Sequence, residues 1–260
     1  MYVTCCTVCY MGHKWPEVLD KIAADGWTNI ELVAIPHWIH VDLSVNMARE
    51  IKKELGDRGI TLRAIHSGSV TTSNPQMQAL QLAYARRAIE TLEELGANQL
   101  VFTGGPRDQD KLDDLASAVE KLAESVEGTS IKIGLENHYK NRIETLEDYD
   151  FLLSRIQNPQ VGITADGGHF NSSKVDTVAL LNKYKDRVFH YHVKDHLGTV
   201  SVPLGQGEVD IGGQIKVLKE IGFDRCLSVE LHVKDQENLD KYAGEAFRYL
   251  TAKVEEAGAA

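Results

Sequence analysis

Four residues in this chain have the types and spacing of a metal or acid–base site: Glu136, Asp166, His192 and Glu230. Each falls at or near the end of a stretch in which apolar and polar residues alternate. In IKIGLEN, residues 131–137, Ile131, Ile133 and Leu135 share one parity, and Lys132, Gly134 and Glu136 share the other. In VGITAD the polar set is Gly162, Thr164 and Asp166. In VFHYHVK it is His190, His192 and Lys194, with Phe189, Tyr191 and Val193 opposite. In CLSVELH it is Ser228, Glu230 and His232. Alternation with period two marks a β-strand with two unlike faces. Carboxylates and imidazoles converging at one end of such strands repel and desolvate one another, and a divalent cation resolves that conflict. Hard oxygen donors favour Mn²⁺ or Mg²⁺, and the imidazole also admits Co²⁺, Fe²⁺ or Zn²⁺. The competing reading is an ion-pair network with inward lysines such as Lys132 and Lys194.

The elements that must position these residues recur along the whole chain. Strands are predicted over about 2–7, 28–34, 60–66, 99–103, 131–137, 161–166, 188–194 and 226–232. Helices are predicted between them. Pro16 opens the first as its N1 residue, Ser44 caps the second, which runs to about Arg58, and Asn74-Pro75 starts the third. A fourth covers roughly Gln109–Glu127, and Thr145 with Asp148 has the pattern of a capping box. Further helices are expected over 175–184, 211–221 and 237–255. Strict βα alternation means a parallel sheet under helical cover. Eight such units in 260 residues predict a single-domain α/β protein, a (β/α)8 TIM barrel spanning residues 1–260. An open doubly wound sheet is the runner-up, but no GxGxxG turn follows the first strand. In a barrel the inward parity ends at the C-terminal mouth, where active sites form.

Composition narrows the partners. The formal net charge of −10 argues against a broad grip on nucleic acid or on an anionic membrane. The first residues, MYVTCCTVCY, lack the basic start and apolar run of a signal peptide, so a cytoplasmic protein is expected. Cys5, Cys6, Cys9 and Cys226 have no second ligand pair at zinc-site spacing and read as small buried thiols. A small-molecule substrate is the expected partner, and a homo-oligomer remains open.

The run of GLENH, TADGGHF, HYHVKD, GQGEVD and SVEL, in that order at predicted strand ends, resembles the xylose isomerase-like sugar isomerase and epimerase superfamily. The resemblance covers nearly the whole chain. It implies one divalent metal, Mn²⁺ first, held by Glu136, Asp166, His192 and Glu230. It also implies that Glu136 and Glu230 move the proton. By the same resemblance His169, Lys194 and His66 match substrate-side or pocket-lining positions, and Lys194-Asp195 match an HxKD pattern of inosose dehydratase-like members. The chain departs from the ketohexose 3-epimerases: an Arg expected past the strand-seven histidine is replaced by the run Lys194-Asp195-His196-Leu197-Gly198. It departs from the apurinic-site endonucleases too, because strand four ends without a His.

Three further residues have readings of their own. Trp38, after strand two, is a candidate wall for a sugar face. Glu31, on the polar parity of strand two, is a candidate substrate contact or a structural acid. His190, one layer below His192, reads as a hydrogen-bonded residue of the barrel interior. The expected function is a metal-dependent isomerase or epimerase working through a metal-stabilised enediolate. The alternatives are a lyase or dehydratase of the inosose dehydratase type, and a barrel that binds a sugar without turning it over.

Overall fold

The computed structural model describes residues 1–70, 73–108 and 111–259. Eight parallel strands close into a barrel: β1 (Tyr2–Cys6), β2 (Asn29–Val33), β3 (Thr61–Ser69), β4 (Gln99–Thr103), β5 (Lys132–Glu136), β6 (Val161–Asp166), β7 (Val188–Val193) and β10 (Cys226–Val229). Pairing of Tyr2 with Cys226 through Cys5 with Val229 closes the ring. Between β7 and β10 lies an antiparallel hairpin, β8 (Asp195–Leu197) and β9 (Val200–Val202).

The outward strand residues, among them Ile30, Leu32, Ile133, Leu135, Ile163, Leu227 and Val229, are fully buried under the helices. This burial is the main stabilising term, on the order of 1.5–3 kcal/mol for each large side chain. The covering helices are α1 (Glu17–Ala24), α2 (Ala48–Gly56), α3 (Pro75–Leu95), α4 (Leu112–Ala123), α5 (Leu146–Arg155), α6 (Gly167–Ser172), α7 (Thr177–Lys183), α8 (Ile211–Glu220) and α9 (Leu239–Ala259). No helix among the described residues is long and apolar enough to cross a membrane.

Local chemistry accounts for several boundaries. Asn74 Oδ1 accepts from the amides of Gln76 and Met77, with Pro75 at the helix start. Thr145 and Asp148 form the expected capping box. Three expectations, at Ser44, Pro16 and Phe189, need correction. Ser44 is not an N-cap: its amide and hydroxyl both bind Asp42 Oδ1, so a turn occupies 42–47 and α2 starts at Ala48. Pro16 is the residue before α1, not its first. The expected start of the fourth helix, Gln109, lies outside the described residues; α4 begins at Leu112, after Lys111 as its N-cap. Phe189 does not face outward. The β6–β7 register shifts between Ile163 and Thr164. A Cβ built on the inward-facing Gly162 would come 2.5 Å from the Phe189 ring. That ring sits in the barrel floor between Lys132 and Arg225, 5.5 and 5.4 Å from its centroid.

Candidate metal and proton-transfer site

The inward parity delivers its ionisable residues to one place. One ligand atom each from Glu136, Asp166, His192 and Glu230 fall within 4.8 Å of one another. Their backbone positions are fixed from beneath. Gly134 makes room for Thr164 Oγ1 and for Gln99 Nε2, which a Cβ would meet at 2.8 Å. Tyr149, on the buried face of α5, donates its hydroxyl to Leu135 O at 2.9 Å. Asn137 ties the ends of β5 and β6 together. Its amide donates to Asp166 O at 3.1 Å and its oxygen accepts from Asp166 N at 2.8 Å. Sequence reasoning passed over Asn137, although its place next to Glu136 was the available signal.

His192 sits at the centre. Its Nδ1 is 2.7 Å from Glu136 Oε1 and 2.9 Å from Glu230 Oε2. Its Nε2 faces the other way, 3.0 and 3.1 Å from the two oxygens of Glu31. Glu31 Oε2 also lies 2.8 Å from His190 Nε2. Glu31 is therefore fully buried beneath the site and does not line the cavity above it. The expected substrate contact at Glu31 is replaced by contacts to two imidazoles. His190 is the interior, hydrogen-bonded residue expected of it. On the opposite edge, His66 Nε2 approaches Glu136 Oε2 at 3.1 Å, and Gly68 N–H donates to His66 Nδ1 at 3.3 Å.

Lys194 and His169 close the remaining side. Lys194 Nζ lies 3.1 Å from Asp166 Oδ2, 3.0 Å from Glu230 Oε1 and 3.1 Å from His169 Nε2. His138 stacks on His169 with ring centroids 3.6 Å apart. Asp166 Oδ1 caps α6 by accepting the His169 amide at 2.8 Å, which leaves Oδ2 for the site. α6 and the β8–β9 hairpin were both missed in the sequence. The Asp-Gly-Gly-His run and the Gly198 turn between short alternating segments were their signals.

The electrostatics fit a cation. Burial alone would raise the carboxyls of Glu31 and Glu230. Instead His192 and His190 hold Glu31, and Lys194 and His192 hold Glu230, well below the carboxylate range. Glu136 is lowered to about 2 despite its burial, chiefly by His192. Asp166 goes the other way, raised by burial that Lys194 does not offset. Burial opposes charge on His192 and Lys194, yet the surrounding carboxylates outweigh it and raise both. Asp166 Oδ2 and Glu230 Oε2 are buried and accept no hydrogen bond, although Lys194 Nζ and His192 Nδ1 lie near them. Proximity without bonding direction leaves acceptor capacity that a hard divalent ion would use.

A cavity of about 940 Å³ opens above these groups. Glu136, Glu230, His66, Cys6 and His232 line its base, and Trp38 lines its wall. Trp38 meets His232 edge-on at 6.2 Å. Lys194 and His169 lie behind the carboxylates and are not part of this lining. All four cysteines are free and buried. Gly205 and Gly207 turn, as expected, around the buried Asp195, whose Oδ2 accepts both amides at 2.9 Å.

A closed eight-stranded barrel with a carboxylate–histidine cluster at its C-terminal mouth is a (β/α)8 barrel with a candidate metal site where such barrels carry their active sites. Residues 19–253 match the family described as xylose isomerase-like TIM barrel, and the chain belongs to that family. It is 25% identical over 242 residues to an inosose dehydratase from Clostridium beijerinckii, covering 78% of this chain and 80% of that one. Against inosose dehydratases of Lacticaseibacillus casei and Clostridium tetani, the chain spans about half the length of each relative. Among solved structures it is similar to a D-tagatose 3-epimerase-like protein, with a TM-score of 0.83, 21% identity and coverage of 99% and 98%. It is also similar to the IolI protein with a bound zinc atom, with a TM-score of 0.82, 18% identity and 99% of both chains covered. These solved structures share the fold.

Proposed function

We propose that the chain is a divalent-metal-dependent isomerase or epimerase that moves a proton beside a carbonyl in a small polyhydroxylated substrate. One observation carries this reading. Glu136 and Glu230 stand on opposite flanks of β6 and β7, converge on His192 Nδ1, and both open onto the same cavity. Glu136, Asp166, His192 and Glu230 would hold the ion. Mn²⁺ is the first choice for so many oxygens, and a zinc-bound fold relative keeps Zn²⁺ as the second. When bound, a divalent ion polarises the substrate carbonyl and acidifies the adjacent C–H.

The protein's own groups supply the proton transfer. Glu136 stays ionised beside His192 and His66 and can take a proton from one face of the reacting carbon. Glu230, less deeply buried, addresses the other face and returns it. Lys194 fixes Glu230 Oε1 and Asp166 Oδ2, and His169 backs Lys194. His66 and Trp38 bound the space in which the substrate's hydroxyls lie. The test is turnover of candidate ketoses and inososes in D₂O with added Mn²⁺. Deuterium is expected at the reacting carbon, and metal-dependent turnover without that label sinks the reading.

A dehydratase is the second reading. It is favoured by the similarity to the inosose dehydratase of Clostridium beijerinckii. Lys194, one acid considered for the departing hydroxyl, contacts Glu230 Oε1 at 3.0 Å from behind the cavity lining, so Glu230 is the group that meets the substrate. His196, the other acid considered, is already engaged with Ser172 Oγ at 2.7 Å. A product lighter by one water, with new enone or enol absorption, selects this reading over isomerisation.

A further inference from the structure

We propose that the cavity contains a second, apolar subsite, and that the substrate is a polyhydroxylated carbonyl compound carrying an aromatic or alkyl substituent. The proposal deepens the reading above and rests on it for the polar end of the substrate.

Helix α3 supplies the first observation. It runs 21 residues, against 9 for α2 and 12 for α4. Its buried residues begin only at Leu82 and continue through Ala85, Ala88, Ile89 and Leu92 toward the barrel. The turns before Leu82 contribute no buried residue to the core. They nevertheless carry Met77 and Leu80, which with Tyr84 sit at i, i+3 and i+7 on one face. All three line the cavity. Tyr84 packs against the core and accepts from Leu43 N at 2.9 Å, but core packing does not account for Met77 and Leu80, which are 46% and 66% exposed.

The second observation is the segment after β2. It places Ile35 and Trp38 on the same cavity, and Trp38 is 48% exposed. An aromatic ring, a methionine and a leucine on one cavity offer apolar surface to a flat or linear group. Scattered exposed apolar residues need no explanation, but a group of them lining one concave space does.

The third is continuity and size. The same cavity reaches Glu136 and Glu230 at its base, so a single molecule can touch both ends. Its volume of about 940 Å³ is near the top of the ~300–1,000 Å³ range of pockets that enclose drug-sized ligands. A free hexose would leave the α3 wall uncovered. A substituent on the sugar-like part covers it.

The experiment uses the full chain loaded with Mn²⁺ and compares D-fructose with 6-O-benzyl-D-fructose, which keeps the ketone and its neighbouring hydroxyls, by calorimetric titration and tryptophan emission. The phenyl-bearing compound is expected to bind at least about tenfold tighter and to change the emission, a change lost in Trp38→Phe. Leu80→Asp, at an exposed position, should reduce the preference to near one while leaving D-fructose affinity in place. Equal affinities, or no detectable binding of the phenyl-bearing compound at millimolar concentration, overturn the proposal. So does a dimer that Leu80→Asp dissociates without altering ligand preference, because a second copy would then be what covers the wall. The metal reading fails separately: the phenyl preference would persist, but neither ligand's affinity would respond to removing Mn²⁺.

Discussion

Glu31 and His192 come from strands three positions apart around the ring, and meet with both carboxylate oxygens about equally far from the imidazole Nε2, at 3.1 and 3.0 Å. The Nε2–H is thus given to Glu31, which turns Nδ1 toward Glu136 and Glu230. A carboxylate behind a metal-ligating histidine sets its tautomer and orientation, and loss of such a partner costs ~10–100-fold in metal affinity. Glu31→Ala should weaken Mn²⁺ binding by about that factor, read by competition with a chelator. Glu31→Gln keeps one acceptor for the two histidines and should fall between. An unchanged affinity in Glu31→Ala would remove Glu31 from the site.

Glu136→Gln and Glu230→Gln should each lower turnover by about 10²–10⁴-fold, the usual worth of a positioned acid or base. Both are also candidate ligands, so metal content must be measured alongside. A variant that keeps its metal and its deuterium exchange argues against a proton-transfer role for that carboxylate.

Gly134→Ala tests the layer beneath the site. The added methyl meets Thr164 Oγ1 and, at 2.8 Å, Gln99 Nε2, inside a packed barrel. Overpacking of this kind costs ~1–3 kcal/mol. Denaturant unfolding should register that loss, and a fully stable variant would mean that the barrel interior yields more readily than its contacts imply.

His40 lies outside the metal cluster and gives a pH dependence. Burial lowers its pKa against the hydrogen bond from its Nε2 to Tyr10 O. A histidine with a depressed folded pKa is neutral in both states above its unfolded value of about 6.5, where its stabilising contribution is complete. That contribution is lost as the pH falls below the unfolded value toward the folded one. His40→Gln, which can keep a donor to Tyr10 O, should therefore be less stable than wild type at pH 8, with the gap narrowing toward pH 5. A gap that widens on acidification contradicts the sign.

Parity along single strands was enough to bring Glu136, Asp166, His192 and Glu230 to one mouth, because period two is a local property of the chain. The capping box at Thr145 and the Asn74-Pro75 start were legible for the same reason. What escaped depends on contacts between distant segments. Phe189 turns inward because β6 and β7 slip in register between Ile163 and Thr164, and neither strand's own sequence records its partner's register. Glu31 faces a histidine 161 residues away, so only ring closure tells a substrate contact from a support. Ser44 was misread because Asp42, two residues earlier, competes for its hydroxyl and amide.

The inward turn of Phe189 has a kinetic consequence. With that ring wedged between Lys132 and Arg225 across the floor, the barrel is a blind well with its reactive groups partway down. Among the described residues, Trp38 and Leu80 line the cavity above Glu136 and Glu230 and are partly exposed. A product leaving past them would meet incoming substrate, so accumulating product should compete with it, and a bulky apolar tail would slow the exit as much as it favours the entrance.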